Sequence, residues 1–129
     1  MTEHVLTVDV PASQIITSNN ERGHWAKRSG VKATLRHKTE LLARAARLPR
    51  GLDRVHITVY IDYPDRRRRD VANLYPTIKC QIDGLVDAGV IVDDSDTHLI
   101  GPDLRPTGVI TPKKYVFHHH IKEVTNGGK

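Results

Sequence analysis

The chain has 129 residues, of which 38% are hydrophobic and 27% are charged. These values are typical of one soluble globular domain with its own core. No apolar run approaches the roughly 20 residues of a membrane-spanning helix. The first residues lack the order of a secretory signal, and Cys80 is the single cysteine. We therefore expect one domain over residues 1–129, no membrane partner, and a reducing, cytoplasmic location.

The net charge of +5 is distributed unevenly along the chain. Residues 21–54 carry ten Lys or Arg against three acidic residues, whereas residues 80–104 carry six Asp and no Lys or Arg. A basic field attracts nucleic acid. An acidic group inside that field repels phosphate unless a cation fills it. An ordinary solvated surface has the same composition, so the motifs have to decide between the two interpretations.

The first predicted elements are a strand, a loop and a basic helix. Apolar and polar residues alternate over residues 4–10, which predicts a strand, and the turn-forming residues 12–23 predict a loop. Asn19 and Asn20 in this loop are candidates for DNA contact, although an ordinary connection is equally compatible. A helix is predicted over residues 29–48. Its proposed apolar face consists of Leu35, Leu42, Ala45 and Ala46.

A basic segment precedes this helix. Lys27 and Arg28 follow the single tryptophan, Trp25, and this arrangement is compatible with stacking on a base beside phosphate contacts. A tryptophan that packs in the core and lysines on a solvated helix face are the ordinary alternatives. Lys27 and Arg28 are therefore candidate DNA-binding residues.

The central part of the chain is predicted as a strand, an arginine-rich loop and a second helix. Residues 54–63 alternate, with Val55, Ile57, Val59 and Ile61 on one face. The second helix is predicted because Leu74, Ile78, Ile82 and Leu85 recur at helical spacing. Between the two elements lie four consecutive arginines bracketed by carboxylates. The arginines are Arg66, Arg67, Arg68 and Arg69, and the carboxylates on either side of them are Asp65 and Asp70.

The last part of the chain is predicted as an acidic turn followed by two strands. Asp93-Asp94-Ser95-Asp96 forms the turn, and the strands cover residues 98–103 and 114–124. The connecting loop is expected to hold Pro106, Gly108 and Pro112. The three adjacent histidines, 118–120, alternate in direction, so they cannot converge on one metal, and we interpret them as polar-face residues.

The arginine loop and the acidic turn together indicate phosphodiester chemistry. Four neighbouring arginines repel each other, which makes them unfavourable for stability alone, whereas their guanidinium groups match phosphate oxygens. Carboxylates beside a phosphodiester hold the divalent cation that its hydrolysis uses. Asp70 also has a structural alternative, since it precedes a helix and can cap free N–H groups. An acidic surface turn is the alternative for Asp94.

The chain resembles the RusA family of Holliday junction resolvases, phage-borne members included. The resemblance is carried by Pro-Asp-Arg-Arg-Arg-Arg-Asp-Val-Ala-Asn-Leu at 64–74, by Asp83-Gly84-Leu85-Val86-Asp87-Ala88-Gly89, and by Asp93-Asp94. Ser18-Asn19-Asn20 before a basic helix is similar to the same family's N-terminal half. The resemblance to this family implies a single α+β domain with a mixed or antiparallel sheet and two main helices.

This resemblance also implies a homodimeric endonuclease in the cytoplasm of a bacterium or phage-infected host. It would use Mg²⁺, with Mn²⁺ as a substitute, to nick opposing strands of a four-way DNA junction during recombination and repair. Asp70 and Asp94 match metal-ligand aspartates. The DNA-facing motif matches Arg66, Arg67, Arg68 and Arg69. Lys79 is a loose match to the catalytic lysine.

Two departures from the family pattern leave alternatives open. Ala72 stands where the pattern commonly has a second aspartate, and Tyr75-Pro76-Thr77 is a small insertion. Because Mg²⁺ often binds through one or two carboxylates plus phosphate, Asp70 and Asp94 could suffice with Asn73 or Asp96 assisting. The alternatives are a catalytically weak or inactive protein that binds branched DNA, and a scaffold protein whose arginines bind another acidic surface.

Overall fold

One sheet contains all four strands, and they are β1 (Glu3–Pro11), β2 (Val55–Tyr63), β3 (Leu99–Ile110) and β4 (Lys114–Glu123). The structure is a computed structural model that describes residues 2–21 and 25–124, apart from the side chains of residues 25–27. The strand order is β1-β4-β2-β3. β4 pairs antiparallel with β1 and β2, and β3 pairs parallel with β2. The sheet is therefore mixed.

The residues that the structure describes also form two α-helices, α1 (Trp25–Ala45) and α2 (Tyr75–Asp87). They pack against each other at Gly84, where an added Cβ would lie 2.8 Å from Thr39 Cβ and 3.0 Å from the Glu40 nitrogen. A 3-10 turn, Val71–Leu74, leads into α2, and Pro76 is tolerated because it lies in the first turn. No helix in the described part of the chain is both long and apolar enough to cross a bilayer.

The strands bury one face and leave the other partly open. Every second residue of β2 and β4 is buried, from Val55 to Ile61 and from Tyr115 to Ile121. These residues form one hydrophobic cluster with the buried residues of α1 and α2. This arrangement confirms the predicted α+β domain with a mixed sheet and two main helices.

Two predictions about the strands are wrong. Pro106 and Gly108 lie within β3 and not in a loop. Because β3 is an edge strand, proline can be accommodated without breaking a central ladder. His119 is fully buried and bonds to Gln81 at 2.7 Å, so it is a core residue and not part of the polar face.

The predicted apolar face of the first helix is also partly wrong. Leu35 is buried as expected, and Leu42 packs beside the core. Ala45 and Ala46 are exposed. α1 ends at Ala45, and Arg47 has a φ of 55°, so the chain turns away before Pro49. Among the described side chains of α1, the buried residues are Leu35, Thr39 and Ala43, at a spacing of four, so Ala45 and Ala46 do not lie on the buried face.

Candidate active site

Three of the four arginines in the loop after β2 are exposed. Arg66, Arg67 and Arg68 project from the segment that joins β2 to the 3-10 turn. The Arg67 side chain is 77% exposed, and its nearest carboxylate, Asp65, is 3.7 Å away. Exposed pairs of this kind contribute little to stability. These guanidinium groups are therefore available to an anionic partner.

Arg69 points the other way, into the protein. Its side chain is only 12% exposed. Its guanidinium lies over the rings of Tyr63 and Tyr115 and bonds to the carboxylate of Asp65 at 2.7 Å. The structure thus separates one arginine from the other three, a distinction that the run of identical residues did not indicate.

Asp70 lies at the start of the 3-10 turn with an exposed side chain. Its Oδ1 accepts a hydrogen bond from the Ala72 N–H at 3.1 Å, which confirms the predicted N-cap geometry. One carboxylate oxygen is thereby fixed by the backbone. Capping and ligand binding are compatible, because a carboxylate has more acceptor sites than this single bond uses.

A cavity of about 250 Å³ brings Asp70 together with the exposed arginines. It is lined by Thr17, Asn19, Arg67, Arg68, Arg69, Asp70, Asn73, Leu74 and Tyr115. The predicted residues Asp70, Asn73 and Asn19 thus line one cavity although they come from two distant segments. The cavity combines oxygen donors with guanidinium groups, which is the composition needed to bind a phosphodiester and a hard cation.

The first loop reaches this cavity because it is anchored to α2. The Ile16 N–H donates to Thr77 Oγ1 at 2.8 Å, and the Thr77 hydroxyl donates to the Ile16 carbonyl at 2.7 Å. The Ser18 N–H donates to the Asn73 carbonyl at 3.0 Å. Asn20 bonds to Ile15 and Thr17, so it closes the loop on itself. The contact of Thr77 with the first loop was not predicted. The sequence feature that could have indicated it is a polar residue within the apolar pattern of α2.

Lys79 forms a second polar cluster one turn into α2. Its Nζ lies 2.6 Å from Asp83 Oδ1 and 2.6 Å from Asp94 Oδ2. Partial burial opposes the charge on Lys79, but the hydrogen bonds to Asp83 and Asp94 outweigh burial and raise its pKa. The Lys79 hydrogen bond lowers the pKa of Asp94. Asp83 was missed by sequence analysis, although its spacing of four from Lys79 is the signal of a helix ion pair.

Magnesium in the Asp70 cavity stays a prediction from the sequence. Mg²⁺ prefers oxygen and often binds through one or two carboxylates plus substrate phosphate. Asp70 and Asn73 both line this cavity. Among residues 2–21 and 25–124, no group of three or more His, Cys, Asp or Glu side chains is arranged to hold a metal.

Asp94 belongs to the Lys79 cluster in this structure. Asp94 is not among the residues that line the Asp70 cavity, so the convergence of the two carboxylates on one cation stays a prediction. Asp96 is exposed in the turn before β3, and Arg28 is half-buried on α1. The side chain of Lys27, like that of Trp25, lies outside the described residues.

Comparisons of this chain with protein-family models and with curated proteins found no match. The likeness to the RusA family therefore rests on the quoted motifs.

Proposed function

We propose that this protein is a Mg²⁺-dependent endonuclease that resolves four-way DNA junctions by symmetric nicking. The observation that carries the proposal is the cavity that unites Asp70 and Asn73 with the exposed Arg67 and Arg68. A carboxylate beside two arginines is the combination of groups that would bind a phosphodiester together with a cation.

The chain's own residues divide the work. Arg67 and Arg68 bind the phosphate, and their charge offsets the charge that develops on its oxygens. Asp70 and Asn73 would hold Mg²⁺, which when bound supplies an activated water and neutralises charge. Lys79 keeps its proton because its pKa is raised, so it does not act as a general base, and it is not among the residues that line the Asp70 cavity.

Symmetric nicking requires two such cavities on one junction. We therefore extend the proposal to a homodimer whose two-fold axis matches the near two-fold symmetry of the DNA. Contacts to phosphate carry no sequence information directly. Selection among DNA substrates then comes from the branched geometry that lets both cavities engage at once.

A second candidate function is binding to branched DNA without efficient cleavage. Two observations favour it. Ala72 presents an exposed methyl where the family pattern has a carboxylate. Asp94 is held by Lys79 at 2.6 Å, so its use as a ligand requires that ion pair to open. The arginine surface would still bind phosphate in such a protein.

One assay separates the candidates. Purified protein is incubated with a labelled four-way junction and with a linear duplex of equal length, with and without Mg²⁺. Paired nicks that need Mg²⁺ and occur on the junction support the endonuclease. Junction binding without nicks supports the second candidate. Equal, weak binding to both DNAs would reject both and leave a scaffold protein.

A further inference from the structure

Groups of the protein accept hydrogen bonds from four of the five N–H donors of Arg69. Its Nε donates to the Tyr115 hydroxyl at 3.0 Å. Its Nη1 donates to the carbonyls of Asp65 at 3.2 Å and Arg67 at 3.0 Å. Its Nη2 donates to Asp65 Oδ1 at 2.7 Å. Since arginine has five N–H donors, these four bonds leave one for any other partner.

Aromatic rings cover the guanidinium as well. The Arg69 Cζ lies 4.9 Å from the centre of the Tyr63 ring and 5.5 Å from that of Tyr115. The two rings belong to β2 and β4. They contact each other edge to face, with 6.1 Å between the ring centres. Such cation–π contacts strengthen as the cation is desolvated. A phosphate would have to displace these groups to bind Arg69 as it can bind Arg67.

These contacts fix the course of the arginine loop. Arg69 ties the loop backbone, through the carbonyls of Asp65 and Arg67, to the side chains at the ends of two sheet strands. Asp65 adds a bond to the Arg67 N–H at 2.9 Å. Asp70 follows Arg69 directly in the chain. The position of Arg69 therefore sets where the exposed arginines and Asp70 lie.

We propose that Arg69 is a positioning residue, which holds the loop so that Arg66, Arg67, Arg68 and Asp70 face the substrate and which does not itself bind phosphate. The proposal rests on the proposed function for its DNA readout. It has a second readout that needs no DNA. It assigns different roles to four identical neighbours, and it predicts that charge alone at position 69 is insufficient.

The test compares charge with geometry at positions 69 and 67. Arg69→Lys keeps the charge and loses the planar fork, whereas Arg69→Gln loses both. We expect both variants to weaken junction binding by a similar factor, about tenfold, because both lose the hydrogen bonds that hold the loop. At the matched control position, we expect Arg67→Lys to keep most of the affinity and Arg67→Gln to lose it.

Tyr115→Phe provides a milder variant, since it removes the hydroxyl and leaves the ring in the core. We expect it to weaken junction binding in the wild-type background and to add nothing in the Arg69→Lys background. Recovery of near wild-type affinity by Arg69→Lys, with a silent Tyr115→Phe, would overturn the proposal and assign Arg69 to phosphate contact.

Limited trypsin digestion of the free protein supplies the readout that needs no DNA. We expect trypsin to cleave after residues 66–68 several-fold faster in Arg69→Lys and in Tyr115→Phe than in the wild type. In Arg67→Lys, we expect the rates of cleavage after residues 66 and 68 to stay unchanged. The thermal midpoints of all these variants should be similar to that of the wild type. Unchanged loop cleavage in the first two variants would refute positioning. If the wild type binds no DNA while the loop loosens as expected, the proposed function fails and the positioning role of Arg69 stands.

Discussion

The Asp70 side chain combines a structural bond with an exposed charge. Its Oδ1 accepts a hydrogen bond from the Ala72 N–H. Asp70 also lines a cavity together with Arg67 and Arg68. Because Asn caps a helical turn as well as Asp does, the two functions of this carboxylate can be separated by one isosteric substitution. The charge can be removed while the turn is kept.

We predict that Asp70→Asn lowers the cleavage rate by about 100-fold or more and leaves folding intact. Junction binding should persist or tighten, because the repulsion between carboxylate and phosphate is removed. Single-turnover cleavage and equilibrium binding on the same labelled junction measure both effects. Cleavage at the wild-type rate would remove Asp70 from the active site.

Position 72 offers a gain of function. Ala72 is exposed two residues after Asp70, so an aspartate there adds a carboxylate near the proposed cation site without disturbing the core. We predict that Ala72→Asp raises the cleavage rate at limiting Mg²⁺, because a second carboxylate strengthens Mg²⁺ binding. Ala72→Asn is the control of equal size. An equal or lower rate in Ala72→Asp than in the control would show that no ligand is missing.

At the scale of the elements, the sequence predicted the strands of the sheet interior closely. β2 was expected over residues 54–63 and is Val55–Tyr63, because a strand with one buried face imposes a period of two on its side chains. β3 was predicted much too short. An edge strand tolerates proline and glycine, so the residues that usually end a strand did not end this one.

The site was predicted in part, for an equally physical reason. The arginine loop and Asp70 are contiguous in sequence, and they were recognisable as a motif. The enclosure of Arg69 depends on Tyr115, which is 46 residues away. The bond between Lys79 and Asp94 depends on the turn after α2. Contacts of this kind are set by tertiary packing, which neither spacing nor composition reveals.

Gly84 tests the packing of the two helices. An alanine Cβ at this position would lie 2.8 Å from Thr39 Cβ, which α1 cannot accommodate without moving. We predict that Gly84→Ala lowers the free energy of unfolding by about 1–3 kcal/mol.

Gly30 is the matched control for Gly84. It lies in α1, and an added Cβ there meets nothing within 4 Å. Gly30→Ala should therefore raise the free energy of unfolding by about 0.5–1 kcal/mol. Denaturant unfolding of both variants measures the difference. Equal effects of the two substitutions would contradict the close contact between α1 and α2.

At the scale of the whole molecule, the buried His119 couples stability to pH. Burial, together with the charges of the neighbouring His118 and His120, lowers the pKa of His119 from 6.5 to about 3. Below pH 6.5, His119 therefore binds a proton in the unfolded chain, whereas it stays neutral in the folded chain until the pH approaches 3. Stability is full above this pH and is lost progressively as the pH falls toward 3.

We predict that the free energy of unfolding falls by on the order of 2 kcal/mol between about pH 7 and about pH 5. The His119→Gln variant should lose this dependence, even if it is less stable at every pH, because it has no titrating group at the site. Denaturant titrations at several pH values measure both proteins. The same slope in His119→Gln would assign the pH dependence to other residues.

The charge pattern of the molecule gives the arginine loop its context. The chain carries a net charge of +5, and the exposed arginines flank the cavity that contains Asp70. Because phosphate contacts release counterions, junction affinity should fall steeply with salt. Removal of Arg67 or Arg68 should then make that dependence shallower.

The most direct measurement uses a supercoiled plasmid that extrudes a cruciform, incubated with the protein and Mg²⁺. Paired nicks on opposing strands of the junction linearise such a plasmid, whereas a single nick only relaxes it. We predict a linear product with wild-type protein and neither product with Asp70→Asn. A plasmid that stays supercoiled with wild-type protein, under conditions where the protein binds the cruciform, would contradict the proposed endonuclease.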